Sequence, residues 1–304
     1  MFKPIIAKFV CISALLSGCA IRPDIQDVTR VDTYEVIKRI RCELRDAVRE
    51  VARRAIIHRF PQAKDRFTKD SDFVGFDYRT LGKDTVEVFS VYADSVIGTE
   101  FTFDATEDNN VAGGLDVLNT FTRGTLGIGV GGSKKLSRNN VEKSRSIDTF
   151  EKIATSPSTS NNYCGNEGVP PVNFTYPITG KIGLEPVVTK FFDYNQSANL
   201  GAPTGSASQA EYSVTLKFTT TLKADVAAVA KFTPLDKRWQ LAGVDGAADV
   251  SRSDIHTLSI VFVLPTKKTP AGVTIAEQRA VEELNYLRQR DDLRTFGQDL
   301  QQRF

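Results

Sequence analysis

The stretch Tyr212-Ser-Val-Thr-Leu-Lys-Phe-Thr-Thr-Thr-Leu222 alternates apolar and polar side chains along its whole length. This period of two is typical of a β-strand that is buried on one face and wet on the other. Its apolar face comprises Tyr212, Val214, Leu216, Phe218 and Leu222. Similar runs at 238–244 and 256–264 follow after short polar links, which indicates an antiparallel meander. We therefore expect an antiparallel sheet at the centre of the fold.

The same period recurs nearer to the N-terminus, where Phe101 and Phe103 share one face. Directly after them, Asp104, Glu107 and Asp108 bring three carboxylates together. Carboxylate oxygens bind calcium, but this spacing is not that of an EF-hand loop. We interpret the cluster as a polar turn between strands, with a calcium site as the alternative.

A long amphipathic helix is predicted before this strand region, because the apolar spacing changes to three and four. Its stripe comprises Ile37, Ile40, Leu44, Val48, Val51 and Ala55. Asp32 with Glu35 resembles a capping box, and Phe60-Pro61 marks the end of the helix. Basic and acidic side chains alternate on the other face. We expect this face to be solvated and mutually compensated, with binding of an anionic surface as the alternative.

A second helix is predicted at the C-terminus, where Thr274 and Glu277 form another capping box. The apolar stripe that follows comprises Ala280, Leu284 and Leu287. The chain is thus expected to be α+β, mainly β: an antiparallel sheet with a long N-terminal amphipathic helix and a C-terminal helix. The segment 195–209, rich in Gly, Ser, Ala and Pro, is the one candidate sub-boundary within it.

The first residues have the order of a bacterial signal peptide. Lys3 and Lys8 supply a positive start, Phe9 to Leu16 form a short apolar core, and small residues follow. Leu16-Ser17-Gly18-Cys19 resembles the lipobox of bacterial lipoproteins at every position. The alternative is an ordinary secretory signal in which Cys19 has no role.

The resemblance implies that residues 1–18 are removed and that Cys19 carries acyl chains. Each buried methylene contributes about 0.8 kcal/mol, so several chains hold a protein on a membrane effectively permanently. In Gram-negative lipoproteins an aspartate after the cysteine usually signals the inner membrane, and this chain has Ala20 instead. We expect anchoring on the periplasmic side of the outer membrane, a lipidated tether over 19–31, and a single periplasmic domain over 32–304.

Charge excludes one class of partner. Lys3 and Lys8 leave with the signal peptide, so 37 basic residues balance 37 acidic ones in the mature chain. A domain that binds nucleic acid carries a clear basic excess. We therefore expect no nucleic-acid partner; the membrane is the expected partner through Cys19, and other envelope proteins are candidates.

The cysteines indicate a disulfide. Cys11 leaves with the signal peptide and Cys19 is lipidated, so Cys42 and Cys164 are the remaining thiols in an oxidising compartment. Cys42 lies opposite the apolar stripe of its helix, and Cys164 lies in a polar stretch that can reach over it. We expect these two to pair. A metal site built from them with His58 and His256 is the alternative, although no ligand spacing supports it.

No catalytic arrangement is evident in the sequence. The motifs H-E-x-x-H, G-x-S-x-G and S-x-x-K are absent, and the chain has two histidines. Gly127, Gly129 and Gly132 match the dinucleotide fingerprint, but no helical pattern follows, so we interpret them as part of a bent strand. We expect no catalytic residues, no metal and no cofactor.

The sequence favours a lipid-anchored, non-enzymatic structural or binding component of the bacterial envelope, with the sheet edges and the terminal helix as its interfaces. One alternative is a periplasmic hydrolase of cell-wall or polysaccharide substrates, since paired carboxylates can lie far apart in sequence. The other is a subunit of an oligomeric outer-membrane pore. The oligomeric state does not follow from the sequence.

Overall fold

A computed structural model of the chain describes residues 22–66, 70–80, 92–112, 118–119, 125–126, 133–155, 163–164, 171–197, 211–225, 247–265 and 270–303. These residues belong to two compact units. Unit 1 takes its residues from Met1–Thr33, Phe103–Glu142 and Thr219–His256. Unit 2 takes its residues from Tyr34–Thr102, Lys143–Phe218 and Thr257–Phe304. The predicted signal peptide and Cys19 lie outside the described residues, as do Gly127, Gly129, Gly132 and most of the segment 195–209.

Four long antiparallel strands form the main sheet, which confirms the sheet expected from the sequence. In chain order the strands are β1 (Val96–Ala112), β2 (Leu118–Asn119), β3 (Thr125–Leu126), β4 (Ser133–Thr149), β5 (Glu211–Asp225) and β6 (Ala247–Val263). The main sheet has the order β4-β1-β6-β5, and the two short strands pair with each other, Leu118 opposite Leu126. The strand predicted over 212–222 is therefore β5, at one edge of the main sheet.

Two strand boundaries differ from the sequence-based expectation. The carboxylates Asp104, Glu107 and Asp108 lie inside β1, so their interpretation as a turn is wrong. Likewise β6 begins at Ala247 rather than near His256. Both errors have one cause. Charged side chains occupy strand positions at which the alternating pattern predicts apolar residues. The strand expected at 238–244 lies outside the described residues.

Both predicted helices are present, and the α+β class is confirmed. The α-helices are α1 (Gln26–Thr29), α2 (Thr33–Arg59), α3 (Phe150–Thr155), α4 (Glu185–Ser197) and α5 (Pro270–Arg303). Short 3-10 helices span Pro61–Arg66, Asp70–Phe73, Tyr78–Thr80 and Pro177–Thr179. Helices α3 and α4 were not predicted, and helix outweighs strand among the described residues, contrary to "mainly β". Within those residues, no helix has the length and hydropathy to cross a membrane.

Unit 2 places the sheet between helices, because both faces of its strands are apolar. Val96, Val261 and Val263 pack against α5, whose contacting residues are Ala276, Ala280, Leu284 and Leu287. Successive strand residues point to opposite faces, so Phe262 lies on the other side. There it stacks on Phe191 of α4, with ring centroids 5.0 Å apart. The stripe predicted for the C-terminal helix is thus its buried face.

The close approach of α5 explains a glycine in β1. A Cβ at Gly98 would lie 3.0 Å from Cδ1 of Leu284 and 3.2 Å from Cδ1 of Ile147. These distances are shorter than ordinary van der Waals contact, so the helix can pack this closely because position 98 has no side chain.

Within unit 2, polar contacts tie helix α2 to neighbouring segments. The carboxylate of Glu43 accepts hydrogen bonds from the backbone N–H groups of Ile182, Gly183 and Leu184, at 2.9, 2.6 and 2.9 Å, just before α4 begins. Arg49 is buried, and its Nε donates to the carbonyl of Ala154 at 2.8 Å. The face opposite the apolar stripe is therefore charge-compensated but only partly solvated, because Arg45 and Arg49 are buried there.

Cys42 on α2 and Cys164 form a disulfide, with sulfur atoms 1.98 Å apart and a sequence separation of 122 residues. Cys164 is buried. Because the sulfurs are bonded to each other, neither offers a thiolate to a metal. The bridge joins a long helix to a segment that precedes α4, and it closes a loop that is large enough to constrain the unfolded chain substantially.

We expect a Cys42→Ser, Cys164→Ser double variant to lose about 4 to 5 kcal/mol of unfolding free energy, because the loop entropy of the unfolded chain is no longer reduced. Urea denaturation with and without a reductant measures this. Reduced wild type should match the double variant, and the reductant should leave the double variant unchanged. Equal stability of the oxidised and reduced wild type would contradict the expectation.

Candidate functional site

The N-terminal segment, residues 22–31, packs on the sheet of unit 1. Pro23 and Ile25 are buried, and α1 ends at Arg30, which has a left-handed φ of 62°. Two side chains of the sheet hold its backbone. Arg252 donates from Nη2 to the carbonyl of Asp24 at 2.6 Å, and Asn140 donates from Nδ2 to the carbonyl of Pro23 at 2.9 Å. The described part of the expected tether is therefore folded against the sheet.

Below this segment lies a group of ion pairs, the Arg252 cluster, formed by Arg252, Glu107, Asp254, Arg138 and Asp27. The Arg252 guanidinium binds Asp254 through Nε at 2.9 Å and Glu107 through Nη1 at 3.2 Å. Glu107 also accepts from Arg138 at 3.0 Å. Asp27 of α1 lies 3.7 Å from Arg252 Nη1. The cluster thus joins β1, β4, β6 and the N-terminal segment.

Burial decides what this cluster means for stability. The side chains of Arg252, Glu107 and Asp254 are all 0% exposed. Removing a charge from water costs several kcal/mol, so such groups are tolerated only when each is paired and hydrogen-bonded. Leaving one partner unpaired costs far more than the pair contributes. The cluster therefore ties the N-terminal segment to this arrangement of three strands.

The electrostatics of Asp27 reflect the same burial. Burial raises the pKa of Asp27 above its ordinary value, while the hydrogen bond from the Asp24 N–H and the charge of Arg252 partly offset that rise. The Asp24 N–H donates to Asp27 Oδ2 at 2.7 Å. The carboxylate therefore makes two contacts, one with the Asp24 N–H just before α1 and one with the Arg252 guanidinium.

His256 lies one step further along the same face of β6. Its ring is tilted against Phe103, with centroids 5.6 Å apart. Burial and, to a smaller extent, the positive charge of Arg252 together lower the pKa of His256 to about 4. His256 is therefore neutral at neutral pH and acts as a packing residue beside the cluster.

The residues predicted to be functional do not gather in one place. Cys19 lies outside the described residues, and Cys42 with Cys164 lies in unit 2. No group of three His, Cys, Asp or Glu side chains that could hold a metal ion occurs among the residues that the structure describes. Sequence reasoning missed Arg252, Asn140 and Asp254. The available signal was the period of two from Val250 to His256, which places Arg252, Asp254 and His256 on one face.

Unit 2 contains a cavity of about 70 Å³ between α2, α3 and the 3-10 segment near Phe73. Its described lining is mainly apolar and aromatic, and Glu151 is the carboxylate among those residues. Glu151 pairs with Arg79 at 2.9 Å. A polysaccharide hydrolase needs two carboxylates flanking a cleft. This lining is suited to an apolar group rather than to that chemistry.

The C-terminal half of α5 presents a different surface. Its exposed apolar stripe comprises Tyr286, Leu293, Phe296 and Leu300, which are 57%, 71%, 62% and 41% exposed. These residues repeat at spacings of seven, three and four, as in the seam of a coiled coil. The N-terminal half of the same helix buries Ala276, Ala280 and Leu284 on the sheet, so the two halves of α5 differ in the burial of their apolar stripes.

Comparisons with known proteins give one family. The model of the family described as uncharacterised protein y4kA matches residues 66–285. The uncharacterized protein y4kA of Sinorhizobium fredii (strain NBRC 101917 / NGR234) is 31% identical over 255 residues, which cover 82% of this chain and 79% of that protein. The matched region of the family model includes β1 to β6 and the whole of the sheet part of the Arg252 cluster.

We expect Arg252→Met to lower the unfolding free energy by about 3 to 5 kcal/mol, because Glu107 and Asp254 are left buried without their guanidinium. Arg138→Met is the matched control: Arg138 also binds Glu107 but is 21% exposed, so its loss should be clearly smaller. Urea denaturation of the full chain measures both. Similar losses for the two variants would show that burial of Arg252 is not what matters.

We expect the stability of the wild type to fall as the pH drops from 6.5 toward 4, by about 3 kcal/mol more than that of His256→Gln. The pKa of His256 is lower in the folded chain than in the unfolded chain. Between pH 6.5 and 4, His256 therefore binds a proton in the unfolded chain but not in the folded one. Urea denaturation at a series of pH values measures the difference. Parallel pH profiles of the two proteins would refute the assignment of a neutral, buried imidazole.

Proposed function

The chain belongs to the family of uncharacterised protein y4kA, and we propose that it is a lipid-anchored, non-enzymatic component of the bacterial envelope that works through protein contacts. Its proposed location is the periplasmic side of the outer membrane, with the lipid on Cys19. The observation that carries the proposal is the exposed apolar stripe of α5. Large apolar side chains aligned on one helix face mark a contact surface rather than a solvated one.

The spacing of the stripe indicates the kind of contact. Tyr286, Leu293 and Leu300 repeat every seven residues, and Phe296 lies between two of them. A seven-residue repeat keeps one seam facing a second helix, into which the side chains interdigitate. The occupant that fits this surface is therefore another helix.

We propose a second copy of this chain as the occupant, with the two α5 helices parallel. Arg290 and Asp292 are exposed and lie on opposite flanks of the stripe. An apolar seam with a charged residue on each flank is typical of a helix that pairs with another helix.

Lipid anchoring strengthens this choice. Two copies held in one leaflet share a common orientation relative to the membrane, so a symmetric pair has its axis along the membrane normal. Confinement to the leaflet also raises the effective concentration, which lets a short seam suffice. Four apolar side chains would form a weak interface for a protein free in solution.

The pore hypothesis is the second candidate, and the edges of the sheet favour it. The edge strands β4 and β5 are 17 and 15 residues long, and in this antiparallel order they run in opposite directions. One copy's β5 could therefore pair antiparallel with β4 of the next copy. Ring-shaped particles in detergent extracts would select this candidate, and dimers would select the first.

We expect a Leu293→Cys variant in native membranes to form an oxidative crosslink of twice the chain mass, because a parallel seam places the same residue of two copies face to face. The matched control is Phe174→Cys, since Phe174 is apolar and 91% exposed but lies outside α5. Non-reducing gels followed by mass spectrometry measure the product. Adding Phe296→Asp to Leu293→Cys should abolish the crosslink.

Two outcomes would contradict the proposal. A crosslink of equal yield at positions 174 and 293 would mean random collision in the membrane. A crosslink from position 293 to a different protein would keep the contact surface but reject the second copy as its occupant.

A further inference from the structure

We propose that the packing of the N-terminal segment holds unit 1 directly against the lipid leaflet that carries Cys19, with three residues of chain between Cys19 and Pro23. This inference rests on the lipid anchor of the proposed function. It adds the partner surface, a phospholipid headgroup layer, and the residues that position the protein on it.

The sheet of unit 1 holds the N-terminal segment from Pro23 onward. The carbonyl of Pro23 accepts from Asn140, and the carbonyl of Asp24 accepts from Arg252. Ile25 is 2% exposed. Three consecutive residues are thus held by the sheet of unit 1, and a fourth contact comes from Asp27 facing Arg252.

The chain between Cys19 and Pro23 is short. Three residues separate Cys19 from Pro23, so the chain between them can span at most about 14 Å in any conformation. The sulfur of Cys19 bears the acyl chains and must therefore lie near the headgroup level of the leaflet. Hence Pro23 lies within about 14 Å of the headgroup level of the leaflet. Asn140 lies one hydrogen bond further away at most.

The contacts with Arg252 bind the N-terminal segment firmly to the sheet. The N-terminal segment could leave the sheet only if Arg252 gave up the Asp24 carbonyl and the carboxylate of Asp27 in a buried site. Such a departure is strongly unfavourable, because Arg252 would lose two of its acceptors in a buried site. A spacer that opened easily would instead have exposed residues and few hydrogen bonds. Arg252 and Asn140 are therefore positioning residues for the membrane anchor.

The test measures the distance from the sheet to the lipid surface. Val141 on β4 is next to Asn140 and is 47% exposed, so a Val141→Cys variant can carry a fluorescent donor. Cys42 and Cys164 are bonded to each other, which leaves position 141 as the reactive thiol once Cys19 is acylated. The full lipidated chain is placed in vesicles of phosphatidylethanolamine and phosphatidylglycerol with acceptor-labelled headgroups, and energy transfer is measured.

The decisive variant lengthens the chain before the packed segment. An insertion of about twelve Gly and Ser residues after Ile21 adds about 20 Å of average reach. With a donor–acceptor pair whose Förster distance is about 20 Å, we expect efficient transfer for the original spacing and a clear fall for the insertion. Transfer that does not respond to the insertion would overturn the inference, because some other contact would then set the distance.

A matched pair of asparagines separates the positioning role from general stability. Asn140→Ala removes the contact with Pro23, whereas Asn139→Ala removes contacts with Asp104 and Thr106, at 2.6 and 2.8 Å. Hydrogen exchange of residues 22–30, read by mass spectrometry, should speed up in Asn140→Ala and stay unchanged in Asn139→Ala. Equal effects of the two variants would also overturn the inference.

The same samples separate this inference from the proposed function. Intact mass shows whether Cys19 is acylated, with Cys19→Ala as the unacylated reference. An unacylated mass in membranes overturns both the anchor and this inference. An acylated mass with insertion-insensitive transfer overturns only the inference.

Discussion

The buried guanidinium of Arg252 is the constraint on which the arrangement of unit 1 depends. It binds Asp254 of its own strand, Glu107 of β1 and the carbonyl of Asp24, so one side chain connects two strands with the N-terminal segment. A buried charge is specific because nearly every alternative packing leaves it unpaired, at a cost of several kcal/mol. The cluster therefore selects a strand pairing and the placement of the N-terminal segment together.

Unit 2 is held by a different kind of interaction. Its part of the sheet is apolar on both faces, and it is covered by α5 on one side and by the aromatic residues of α3 and α4 on the other. Glu43 and the Cys42–Cys164 disulfide add directional ties to α2. Non-directional apolar packing supplies the bulk of the burial, and these few polar and covalent ties restrict how the helices are placed.

The α5 stripe is more exposed than its residue types predict, and the N-terminal segment is more buried than its place in the chain predicts. The α5 stripe is proposed to bind because apolar groups remain exposed where a folded chain normally buries them. The N-terminal segment is proposed to position the membrane anchor because it is buried where a tether is normally free. Both follow from comparing the burial of a residue with what its type and place in the chain lead one to expect.

Local pattern in the sequence was sufficient for the helix from Thr33 to Arg59, the strand at Tyr212 and the α+β class, because each depends on apolar residues repeating at a fixed period. The same reasoning paired Cys42 with Cys164 by elimination. It took Glu107 for a turn residue, since charged residues carry no sign of burial in sequence alone. Only the tertiary structure decided that Arg252 is buried and that Asp24 and Pro23 lie against the sheet. The physical reason is that pairing between charges 145 residues apart depends on which strands are neighbours, and no local period records that.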